Sequence, residues 1–240
     1  GEQYFEPSLL DRAIGEINEL EPDIVICSGD LTTLGFKHEY QLARQYVDKI
    51  ECESLVVIPG NHDSRNVGYV HFEELFGERN RVLRKGGVTV VAVDSTEPAL
   101  DHGQIGRGRY RWIEEQFAEP ATLRIFALHH HLLPVPGTGR ERNVVYDAGD
   151  AIECLQHAGV NLVLSGHKHV PYAWRLENLF VVKGGRLTAL STLGSFAGTV
   201  LIGYVLMPLL PNSPTRYLTA VALMLLAAAL VLTLFPMYFM

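Results

Sequence analysis

Four short polar clusters, each at the end of an apolar run, constrain this chain more than any other feature. In chain order they are Ser28-Gly29-Asp30, Gly60-Asn61-His62-Asp63, His129-His130-His131 and Gly166-His167-Lys168-His169. Each follows a β-rich segment: Ile24–Cys27, Leu55–Ile58, Leu123–Leu128 and Leu162–Leu164. Strands aligned in one sheet would deliver all four clusters to the same edge. Neutral imidazole, amide oxygen and carboxylate together suit a borderline divalent cation. The pattern therefore predicts a metal centre on the C-terminal edge of a sheet.

The intervening segments alternate between helical and extended patterns. Leu9, Leu10, Ala13, Ile14, Ile17 and Leu20 recur at helical spacing after Ser8, and Pro22 ends that helix. A strand over 23–27, a helix from His38 to Ile50 and a strand over 54–58 follow. A short helix near 70–76, a strand at Val88–Val93, a helix from Arg109 to Phe117 and a strand over 122–128 come next. Beyond a loop rich in Pro and Gly, residues 148–158 suit a helix, and 161–165, 171–176 and 179–182 suit strands. Such alternation predicts an α/β layered fold.

Charge divides the chain at residue 186. Residues 187–240 carry one charged side chain, Arg216, which leaves the first part with 19 basic and 27 acidic groups, a net −8. An acidic domain without a basic stripe argues against a nucleic-acid polymer as partner. It is compatible with a phosphate substrate, because bound cations dominate the local field. The runs 187–210 and 217–240 have 24 residues each, and about 20 apolar residues cross a bilayer. Joined by the turn from Pro211 to Arg216, they predict a transmembrane hairpin. Lys183 and Arg186 on the domain side, against Arg216 alone in the turn, place residues 1–186 in the cytoplasm by the positive-inside rule. The cysteines Cys27, Cys52 and Cys154 match no zinc spacing and form no even set for disulfides; Cys27, inside an apolar strand, reads as a small buried hydrophobe.

Taken together, the Gly29-Asp30 pair, the Gly60–Asp63 run, His129-His130 and the Gly166–His169 run make residues 1–186 resemble the calcineurin-like metallophosphoesterase family. Val93–Thr96 and the stretch from Gly106 to Ile113 are similar to the subgroup containing class III cyclic-nucleotide phosphodiesterases. The resemblance implies a β-sandwich flanked by helices, with two divalent ions (Mn, Fe or Zn) at the strand ends. It implies that Asp30 bridges both ions, that Asn61, His129 and His167 complete one site, and that His169 belongs to the other. His130 is the alternate to His129, since neighbouring strand residues point to opposite sides. His62 would donate a proton or hydrogen bond to the substrate, with Asp63 orienting its ring.

The implied activity is hydrolysis of a phosphoester by a metal-bridging hydroxide, on a membrane-anchored enzyme. Arg107, Arg140 or Arg142 could hold a second phosphate. The family's opening Asp-x-His motif has no counterpart here, the first histidine being His38, which suggests a sequence cut just before residue 1. A domain without activity, retained as a membrane scaffold or binding module, is the competing expectation.

Overall fold

Alternating side chains on the strands explain the layering. A computed structural model describes residues 6–135, 145–168 and 171–184. These lie in the first of two compact units, Gly1–Ala189; the second is Leu190–Met240. The elements are α1 (Pro7–Glu19), β1 (Val25–Cys27), α2 (Lys37–Val47), β2 (Leu55–Val57), α3 (Gly68–Phe76), β3 (Arg81–Lys85), β4 (Val88–Val93), α4 (Tyr110–Gln116), β5 (Leu123–Leu128), α5 (Ala148–His157), β6 (Leu162–Ser165), β7 (Tyr172–Leu176) and β8 (Leu179–Lys183).

The strands form two sheets. β1 and β2 pair in parallel, and the other six run in the order β3-β4-β5-β6-β8-β7. In the larger sheet β4, β5, β6 and β8 are parallel neighbours, while β3 and β7 are antiparallel at the edges. Val91 and Val93 of β4, Phe126 and Leu128 of β5 and Val163 of β6 point one way, onto Ile113 and Phe117 at α4 and Ala151 and Leu155 of α5. The alternate residues Ala92 and Ala127 point the other way and meet Val56 and Ile58. Leu55 and Val57, on the far side of β2, pack on Tyr40, Val47, Phe72 and Phe76 of α2 and α3. The two sheets therefore stack face to face between helical layers. The small alanines of the larger sheet face the bulkier Val56 and Ile58 across that interface.

This arrangement corrects the expectation of one sheet. The four polar clusters follow β1, β2, β5 and β6, two strands from each sheet. They meet because the strand ends of both sheets lie on one side of the sandwich.

Cys27 is also less enclosed than its strand context suggests: it is part-buried. Among the described residues β1 pairs only with β2. Its residues line a groove of about 480 Å³ together with Leu10, Ile14 and Ile17 of α1 and Leu42 and Tyr46 of α2. The predicted hairpin over 187–210 and 217–240 lies outside the described residues. Among the described residues no helix is long and apolar enough to cross a membrane.

Candidate metal centre

Close backbone approach brings the cluster loops together. Gly29 has φ +97°, and a Cβ there would lie 2.3 Å from Gly60 N. A Cβ on Gly60 would lie 2.2 Å from Asp30 Oδ1. The loops after β1 and β2 thus touch main chain to main chain, and glycine is required in both. Asp30 (φ 60°) and His167 (φ 69°) sit in the left-handed region. Strain of that kind persists where the surroundings over-determine the backbone, which is common at functional sites.

The side chains converge on one point. Asp30, His129 and His167 present ligand atoms within 4.8 Å of one another. His129 Nε2 is 3.1 Å from Asn61 Oδ1, 3.2 Å from His167 Nδ1 and 3.4 Å from Asp30 Oδ1. His167 Nδ1 is 2.9 Å from Asn61 Oδ1. On the far side of its ring, His129 Nδ1 lies 2.7 Å from the Ser28 carbonyl oxygen. A carbonyl only accepts, so Nδ1 carries the proton and Nε2 offers its lone pair inward. Burial, reinforced by the imidazoles of His129, His130 and His131, lowers the His167 pKa to about 2. That ring is neutral near pH 7 and its lone pair is available. Two imidazole nitrogens, a carboxylate oxygen and an amide oxygen face a common centre, the donor set a borderline divalent cation takes. The residues present fit such an ion.

Residues 4–171 match the model of the calcineurin-like phosphoesterase family. The chain belongs to that family. It is 28% identical over 172 residues to a cAMP/cGMP dual specificity phosphodiesterase of Mycobacterium tuberculosis, covering 66% of this chain and 54% of that protein. It is 25% identical over 152 residues to the 3',5'-cyclic adenosine monophosphate phosphodiesterase CpdA of Escherichia coli, covering 62% and 55%. The chain thus spans about half the length of these curated relatives. Among solved structures it resembles the purple acid phosphatase PPD1 of yellow lupin, with TM-score 0.59 and 18% identity over 75% of this chain and 40% of that one. At that identity the likeness shows the fold.

Within this phosphoesterase fold the other predicted residues take distinct places. His130 packs its ring against His167, centroids 4.8 Å apart, yet stands outside the group whose ligand atoms converge: its Nδ1 meets Ser95 Oγ at 2.9 Å, and a Cβ on Gly103 would lie 2.4 Å from its ring. Burial, with His129 adding like charge, lowers its pKa to about 3. His129 is therefore the member of the pair that faces the centre. His62 is half-buried at the rim, with Nδ1 2.9 Å from the Thr33 carbonyl oxygen and 3.1 Å from Arg65 Nη1.

Asp63 does not orient the His62 ring as the family resemblance implies. Its carboxylate is fully buried and accepts from Leu31 N, Thr32 N, Thr32 Oγ1 and Gly60 N at 2.8–3.1 Å. Burial raises its pKa to about 6, and the charge of Asp30 adds to the rise, against the hydrogen bonds that lower it. Asp63 ties the loop after β1 to the loop after β2, and the Thr33 carbonyl holds the His62 ring instead.

His169, Arg140 and Arg142 lie outside the described residues. Arg107 pairs with Asp150 at 2.7 Å on the α4–α5 face, away from the cluster.

Sequence reasoning missed Arg65 and Asp101. Asp101 Oδ1 accepts from Asn61 Nδ2 at 3.1 Å and from Arg65 Nη2 at 2.6 Å. The bond from Arg65 holds the Asp101 carboxyl below the usual range. No strand precedes Asp101 and no motif surrounds it, so the sequence carried no signal for it.

Proposed function

We propose that this chain hydrolyses phosphodiesters, cyclic nucleotides among them, with two divalent ions (Mn, Fe or Zn). Asp30, Asn61, His129 and His167 would hold one ion, and Asp30 with His169 would contribute to the other. The supporting observation is the convergence of four lone-pair atoms on one centre, three of them within 4.8 Å of one another. The printed activities of the two curated relatives point to the same substrate class.

When bound, such ions lower the pKa of water and neutralise the charge of a phosphoester. The chain's own residues do the rest. Asp63 and the two interlocked glycines keep Asp30 and Asn61 in register. The Ser28 carbonyl fixes the tautomer of His129. His62, whose Nδ1 donates to the Thr33 carbonyl, presents Nε2 to the leaving oxygen and, as the imidazolium with both ring nitrogens protonated, would give it a proton from there. The Arg65 guanidinium beside it is paired with Asp101 and braces the rim.

The uncharged segments 187–210 and 217–240 tether the domain to a bilayer in this reading, with residues 1–186 in the cytoplasm. Their length and lack of internal charge support it. Lys183 counts toward the orientation by position alone, its ammonium being buried and donating to the Lys168 carbonyl oxygen. A cysteine at Ser213 should react with an impermeant label in whole cells; labelling only after permeabilisation contradicts this orientation.

Activity is tested with bis-p-nitrophenyl phosphate, its monoester and a cyclic-nucleotide panel. Turnover of the diester should vanish on chelation and return with Mn(II) or Zn(II), and Asp30→Ala and His167→Ala should lower metal content. Turnover indifferent to chelation, or unchanged metal content in both variants, overturns the reading. Metal uptake without turnover of any ester favours a binding or scaffold module instead.

A further inference from the structure

The side-chain amide of Asn61 is buried beside His129 and His167. An amide has two ends of nearly equal size, and only the oxygen has lone pairs for a cation. In the absence of other constraints the opposite orientation would also be satisfied, because an NH2 group donates well to the Nε2 lone pair of His129. Something must choose the end that faces the centre.

Asp101 makes that choice. A carboxylate accepts and never donates when ionised, so it must face the NH2 of Asn61, as it does at 3.1 Å. The oxygen is then turned inward, 3.1 Å from His129 Nε2 and 2.9 Å from His167 Nδ1. Asp101 is itself held. Arg65 Nη2 donates to the same Oδ1 at 2.6 Å. The antiparallel bridge between Thr96 and Gly103 closes the loop that carries Asp101, and Ala99 N donates to the Ser64 carbonyl oxygen. The second arm of Arg65 lies beside His62 and shares its acceptor: Arg65 Nη1 donates to the Thr33 carbonyl oxygen at 3.4 Å, and His62 Nδ1 meets the same oxygen at 2.9 Å. One ion pair therefore spans the amide at the metal position and the imidazole at the rim. Asp101 is outside the group whose ligand atoms converge, so it acts through Asn61.

We infer that Asp101 is a positioning residue whose carboxylate, braced by Arg65, turns the Asn61 amide oxygen toward the cation held with Asp30, His129 and His167. The inference rests on the metal-centre reading of the preceding subsection.

The test is Zn(II) affinity of the full chain, measured by competition with a chromophoric chelator after stripping the metal, with circular dichroism to check folding. Asp101→Ala should bind Zn(II) roughly ten- to a hundredfold more weakly, the usual scale for losing a group that orients a ligand. Asp101→Asn keeps an acceptor oxygen and should fall between wild type and Asp101→Ala. Asn61→Asp presents oxygen at both ends and needs no orienting, so adding Asp101→Ala to it should cause no further loss. A twofold or smaller change in Asp101→Ala overturns the inference while leaving the metal centre standing. Equal losses in the Asn61 and Asn61→Asp backgrounds also overturn it, since they reduce Asp101 to a general charge. A wild-type chain that takes up no Zn(II) overturns both readings.

Discussion

Replacing Gly29 with alanine strikes the contact on which the site depends. Gly29 has φ +97°, and the added Cβ would sit 2.3 Å from Gly60 N, 2.6 Å from Pro59 C and 2.7 Å from Gly60 Cα. All three are main-chain atoms, so no side chain can swing away. The left-handed backbone alone costs an L-residue about 1–2 kcal/mol. Forcing two packed loops apart adds about 1–3 kcal/mol. Their sum gives about 3 kcal/mol of destabilisation. With a urea slope of about 2 kcal/mol/M, the unfolding midpoint falls by about 1.5 M. The loops also carry Asp30 and Asn61, so the shift that relieves the clash opens the 3.1–3.4 Å convergence at His129, and Zn(II) affinity falls with stability. Gly15→Ala is the control: it is exposed in α1 with nothing within 4 Å of the new Cβ, and it should gain roughly 0.5–1 kcal/mol. A Gly29→Ala protein within about 1 kcal/mol of wild type, with Zn(II) affinity intact, would refute the interlock.

Two further outcomes follow from the same geometry. His62→Ala should retain its metal and lose turnover roughly a hundredfold or more; joint loss of metal would make His62 a ligand. In metal-free protein His130 titrates near 3 when folded, against 6.5 in the unfolded chain. The unfolded state therefore binds the proton first, and stability is full above about pH 6.5 and is lost as pH falls toward 3. Thermal midpoints from pH 7.5 to 4 should drop, His130→Gln should make the drop shallower, and a flat wild-type profile would count against a neutral buried imidazole.

Most of this architecture was legible because strand and site share one signal. An apolar run ending in Gly-Asp, Gly-Asn-His or His-His marks both the strand and the group it delivers. β4 and β5 follow the predicted bounds to within a residue. β3 escaped detection because Arg81, Arg84 and Lys85 interrupt its pattern: it is a half-exposed edge strand, and its clue was the Gly86-Gly87 turn leading into β4. The assignment of strands to two sheets was not legible either, since it depends on how Ala92 and Ala127 meet Val56 and Ile58. The same limit applies to roles carried by tertiary contacts. Asp63 follows His62 in sequence, yet its carboxylate serves Leu31, Thr32 and Gly60, and Asp101 reaches Asn61 from 40 residues away.

Anomalous diffraction from crystals grown with Zn(II) would locate the ion itself. A zinc peak should appear about 2.0–2.2 Å from oxygens of Asp30 and Asn61, from His129 Nε2 and from a ring nitrogen of His167. Density at surface carboxylates alone, with none among these four side chains, would contradict that placement.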